Sequence, residues 1–122
     1  MPGPGRLIVV GTGMTTGQLT PDARGWIERA DEVFYLVWEP STERLITALK
    51  PEARSLDALY GRDKPRDATY ENMVERILAG VRDGLTVCAA FYGHAGVFVH
   101  PSHEAVRRAR SEGRRATTPR AA

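Results

Sequence analysis

The sequence has only one cysteine, Cys88. A disulfide framework is therefore excluded, and a reducing, cytoplasmic setting fits best. Long apolar runs are missing too. None approaches the ~20 residues that a helix needs to cross a bilayer. The opening stretch, "MPGPGRLIVVGTG", is too short in its apolar part, and too soon closed by glycines, to read as a signal peptide. Acidic residues are scarce at one end only. Residues 107–122 carry Arg107, Arg108, Arg110, Arg114, Arg115 and Arg120 against the single acid Glu112, a charge of +5 within a net +2, which leaves −3 for residues 1–106. Aromatic residues are absent from that end as well, so nothing stands between the arginines to stack on bases. A solvated helix face followed by a loose end is preferred there to a nucleic-acid site.

What is present is the patterning of one soluble domain. A length of 122 residues allows one domain at most. "RLIVVGTG" is a short β-branched run closed by glycines, "EVFYLVW" a second apolar run, and "LTVCAAFY" a third. All three read as buried parallel strands. Between them lie helical patterns. Thr20 and Pro21 suit an N-cap and first helical position, with Ala23, Trp26, Ile27 and Ala30 on one face. A short helix is expected from Ser41 to Leu49. From Asp67 the apolar stripe Met73, Val74, Ile77, Leu78 and Val81 marks a longer one, stopped at Gly84. Pro101 to Glu112 is the last candidate. The alternation implies an α/β domain with a mainly parallel sheet flanked by helices. In such sheets ligands bind beyond the carboxyl ends of the strands.

Three constellations sit where chemistry is expected. The first is "GTGMTTGQLT", whose Gly11, Gly13 and Gly17 are one residue longer in spacing than the dinucleotide fingerprint. With Glu39 after the second strand it suits either a nucleotide site or a tight glycine turn. The second is Tyr92-Gly93-His94-Ala95-Gly96, where glycines permit close backbone approach and the Tyr92 ring attracts a cation. His94, His100 and His103 share no carboxylate or cysteine at ligand spacing, so no metal site is expected. The third is Tyr60, Arg66 and Tyr70. A guanidinium beside a phenol favours phenolate, which suits a general base, while the plainer reading is a tyrosine capping the core.

Together, "VVGTGMTTGQLTPDA", "ADEVFYLV", "YGRDKPRDATYENMVERILAGVRDG" and "FYGHAGVFVHPSHEAVRRARSEG" resemble the tetrapyrrole-methylase superfamily. They are most similar to its borosin branch, the peptide backbone N-methyltransferases. The resemblance covers residues 6 to 116. It implies the first half of a class III methyltransferase fold, with S-adenosylmethionine as methyl donor and a precursor peptide as substrate, working as a homodimer. It implies catalytic roles for Tyr60, Arg66 and Tyr70, and donor contacts for Tyr92, His94, Val97 and His100. Two other readings are carried beside it. One is a tetrapyrrole or other small-molecule methylase half, the other a non-catalytic interaction module pairing with a full-length homologue. A nicotinamide-binding half-domain is a more distant third.

The sequence departs from the branch in two places. Ala95 stands where proline is usual. The family pattern holds through residue 116 and gives way to "TTPRAA", so residues 117–122 are expected to be a non-family tail with the second domain missing. On that reading the chain binds the donor weakly and does not methylate a peptide alone, and the face meant for the second domain is apolar and exposed.

Overall fold

The computed structural model describes residues 5–11, 20–37, 40–56, 66–91 and 99–117, with side chains throughout except at 66–70, 99–103 and 117. In chain order the elements are β1 (Arg6–Gly11), α1 (Pro21–Arg29), β2 (Glu32–Leu36), α2 (Pro40–Leu49), β3 (Arg54–Ser55), α3 (Arg66–Arg82), β4 (Thr86–Phe91), α4 (Val99–Ser111) and β5 (Arg115–Thr117). The strands form one sheet in the order β3-β2-β4-β1-β5, and every pairing in it is parallel. The expected α/β architecture is what the chain forms.

The three expected strands are present, and two more are added. β3 and β5 are two and three residues long, too short to show any period. α3 begins at Arg66, so that residue opens the helix and does not merely precede it. α4 starts at Val99, two residues before Pro101, which falls in the first turn where its missing N–H costs nothing.

Side-chain alternation divides the core between the two sheet faces. Ile8, Val10, Val33, Tyr35, Cys88 and Ala90 point toward α1 and α2, meeting Ala23, Ile27, Ala30 and Ile46. Leu7, Val9, Phe34, Val87, Ala89 and Phe91 point the other way, toward the α3 stripe and the α4 alanines Ala105 and Ala109. The topology requires this split. β1 to β2 to β3 steps one way along the sheet, and β3 to β4 to β5 steps back, so right-handed crossovers place the two helix pairs on opposite faces.

Local chemistry sets the helix ends. Thr20 caps α1, its Oγ1 accepting from the Ala23 N–H at 3.1 Å. α3 ends in a Schellman closure, with Gly84 N–H donating to Val81 C=O and Leu85 N–H to Gly80 C=O, both at 3.0 Å. Gly84 takes φ 87°, a left-handed conformation that a side chain resists. Among the described residues no helix is long and apolar enough to cross a membrane. No large apolar side chain among them is fully exposed either. Trp26, Leu45, Leu49 and Val106 are partly buried apolar side chains on the described helices.

Candidate functional site

The sheet brings three strand ends into line at its carboxyl edge. Gly11 of β1 is opposite Phe91 of β4, and Phe91 is opposite Leu36 of β2. From β1 the chain departs toward α1 on one face, and from β4 toward α4 on the other. Adjacent strands whose connections leave in opposite directions make a switch point, where a crevice opens for a ligand in doubly wound sheets. The residues that follow Gly11 and those that follow Phe91 are the two glycine-rich stretches. Because the strands are parallel, each connecting helix also starts at this edge. The first turns of α3 and α4 therefore share it.

The expected site residues distribute as follows. Arg66 is the first residue of α3 and Tyr70 the fifth. Four residues apart in a helix, the two positions fall on one face. His100 is the second residue of α4. Tyr60, Tyr92, His94 and Val97 lie outside the described residues, as do Glu39, Gly13 and Gly17. The described residues contain no cluster of three or more His, Cys, Asp or Glu suited to a metal ion.

Two side-chain arrangements brace the elements behind this edge. On the α1–α2 face, the buried Tyr35 donates its hydroxyl to Glu43 Oε2 at 2.9 Å, tying the start of α2 to β2. Burial, followed by the bond to Glu43, pushes the Tyr35 phenol up to about 12. On the other face, Arg108 uses three nitrogens at once. Nη1 and Nη2 donate to the two carboxylate oxygens of Glu71 at 2.6 and 2.8 Å, and Nε donates to Glu104 at 2.7 Å. Further along, Arg82 grips Glu112 through Nε and Nη2 at 2.9 and 2.7 Å. Arg110 donates twice to the Ala116 carbonyl of β5, at 3.1 and 2.9 Å. Arg107 also pairs with Glu104.

Two of these arginines revise the expectation of a solvated face. Arg108 fastens α4 to α3 and Arg110 fastens it to β5, while Arg107 pairs only with Glu104 of its own helix and stays largely exposed, as expected of a solvated face. Sequence reasoning missed both braces. The Glu104–Arg108 spacing of four was a legible signal for one link. Glu71–Arg108 and Tyr35–Glu43 carried no signal short of the topology.

The family model of the Tetrapyrrole (Corrin/Porphyrin) Methylases matches residues 6–117. This chain belongs to the tetrapyrrole methylase family. Its relatives include the methyltransferase/ribosomally synthesized cyclic peptide dendrothelin A precursor of Dendrothele bispora, 50% identical over 111 residues, which are 90% of this chain and 27% of the relative. The corresponding omphalotin A precursor of Omphalotus olearius is 46% identical over 113 residues, 92% of this chain and 27% of the relative. A type I borosin cyclic peptide precursor of Cerrena unicolor is 40% identical over 112 residues, 89% of this chain and 27% of the relative. The chain thus spans about a quarter of the length of these relatives. Among solved structures, the uroporphyrin-III-C-methyltransferase of Thermus thermophilus matches with a TM-score of 0.69 at 24% identity, over 94% of this chain and 46% of that one. That match establishes the tetrapyrrole methylase fold. The closer sequence relationship is with the borosin methyltransferases.

Proposed function

We propose that this tetrapyrrole methylase domain forms part of an S-adenosylmethionine-dependent methyltransferase acting on backbone amides of a peptide. The observation that carries the reading is the 50% identity, across 90% of the chain, to a methyltransferase that is also a cyclic peptide precursor. The switch point between β1 and β4 supports a ligand crevice at the edge where both glycine-rich stretches begin. The donor supplies an electrophilic methyl group when bound. Tyr92, His94, Val97 and His100 are assigned to hold it, and the glycines of the two sequence stretches suit close backbone approach.

The amide nitrogen explains the remaining assignments. Its lone pair is delocalised into the carbonyl, so it is a poor nucleophile until its proton is removed. Tyr70, assisted by Arg66, takes or relays that proton. Tyr60 and Arg66 donate to the oxygen on which charge develops. The assembly we assign is a homodimer in a reducing cytoplasm. A small-molecule methylase half is the weaker alternative, because corrin methylation needs no amide activation. A pure interaction module is weaker still, since the relatives at 40–50% identity are methyltransferases by name.

Two experiments test this reading. Calorimetry of the purified chain with S-adenosylmethionine measures how much of the donor site this domain holds by itself. Micromolar binding would show the pocket to be self-sufficient. The second uses a chimera in which residues 6–117 replace the matching segment of the Dendrothele bispora relative. In it, Tyr70→Phe is expected to abolish peptide methylation while leaving donor binding intact. Full activity in that variant removes Tyr70 from the chemistry.

A further inference from the structure

The helices that carry Arg66, Tyr70 and His100 are α3 and α4, and their mutual register needs a determinant. Their contact is apolar where it is buried. Ala105 and Ala109 of α4 pack with Met73, Val74, Ile77 and Leu78 of α3. Small side chains permit close approach, but apolar contact is non-directional and leaves sliding and rotation cheap. A directional link reaches back toward the carboxyl edge from Arg108, which stands in the last turn of α4. Arg108 holds Glu71 by a two-pronged bond at 2.6 and 2.8 Å and Glu104 by a third at 2.7 Å. Glu71 directly follows Tyr70. Glu104 lies one turn beyond His100 and one turn before Arg108 in α4.

We propose that Arg108 is a positioning residue. Its guanidinium fork sets the first turns of α3 and α4 in one register, and so places Arg66 and Tyr70 relative to His100 across the ligand edge. The functional half of this inference rests on the site assignment above, and the structural half does not. The choice of arginine follows from geometry. A planar fork meets both oxygens of one carboxylate while its Nε reaches a second, whereas a lysine ammonium is a point charge that fixes no angle. The Arg108 side chain is 25% exposed, and its bond to Glu104 is partly buried while those to Glu71 face solvent. Arg82 and Glu112 make a comparable pair at the far end of the helices. Glu75 stands between the two, 3.4 Å from Arg82 and 3.6 Å from Arg108, so the far pair continues the same network while Arg108 alone carries it to Glu71 and Glu104.

The test compares wild-type chain with Arg108→Met and Arg108→Lys by hydrogen exchange resolved along the sequence. In Arg108→Met, amides of the second turns of α3 and α4 are expected to exchange about fivefold faster, in keeping with the loss of the ion pairs to Glu71, Glu75 and Glu104. Amides of β4 and of Ile77–Val81 keep their rates. Arg108→Lys restores the melting temperature but not the slow exchange. Unchanged exchange in Arg108→Met, or full recovery in Arg108→Lys, overturns the fork as the determinant. In the chimera described above, Arg108→Met is expected to lower kcat with little change in KM for the donor. Altered exchange with unchanged kcat overturns the positioning role. If the wild-type chimera itself does not turn over, the site assignment fails, and the exchange data alone decide the clamp.

Discussion

Glu104 shows how much one carboxylate organises here. It accepts from Arg107 and from Arg108, and those bonds, the Arg107 one foremost, hold its carboxyl down to about 2 from an ordinary 4.5. Glu112 is held low in the same way, chiefly by its bond to Arg82. A carboxyl depressed on folding contributes stability that is present above its unfolded value and lost as pH falls through the folded one. The melting temperature is therefore expected to decline as pH drops from about 4.5 toward about 2. The decline should be shallower in Glu104→Gln. The effect is modest, because these groups face solvent. Circular-dichroism melts across that range check it, and parallel curves for the two proteins would remove Glu104 as a contributor. At this scale the sequence was legible where the cause is local. Thr20, Pro21 and Gly84 were read as helix ends because capping depends on neighbours in the chain. Arg108 was misread as a solvated charge because its principal partner, Glu71, lies 37 positions away.

Among the elements, α3 shows its packing most plainly in its sequence. Its stripe from Met73 to Val81 is buried throughout, as the 3.6-residue spacing implied. Gly80, at the same face, looks like a defect by propensity, since glycine in a helix costs about 1 kcal/mol relative to alanine. The structure supplies the reason for it. A Cβ at residue 80 would collide with the Glu32 carboxylate and lie 2.8 Å from Val87 Cγ2. Overpacking of this kind costs about 1–3 kcal/mol, enough to outweigh the propensity gain. Gly80→Ala is accordingly expected to destabilise the chain, with a lower urea midpoint at an unchanged slope. A raised midpoint would show that the Glu32 and Val87 side chains give way freely. The edge strands β3 and β5 escaped sequence reading for a different reason. Two or three residues carry no periodicity, and they are strands only because β2 and β1 offer them a partner.

At the scale of the whole molecule, the order of strands and helices foretold an α/β domain, and the glycine runs follow β1 and β4 at the carboxyl edge of its sheet. What the sequence did not disclose is that these two runs begin side by side. That follows from the order β3-β2-β4-β1-β5, in which β1 neighbours β4 and not β2. Nothing in a linear pattern of apolar residues states which strands pair. The resemblance to borosin enzymes supplied roles for residues that fold-level physics alone leaves open, and three of them, Arg66, Tyr70 and His100, fall in the first two turns of helices that start at that edge.

The central claim is that this domain supports methylation of peptide backbone amides. Mass analysis of the fused peptide in the chimera carrying residues 6–117 tests it most directly. A peptide that gains methyl groups, located on backbone nitrogens by fragmentation, is the result expected. A folded, donor-binding chimera whose peptide stays unmethylated would contradict the claim.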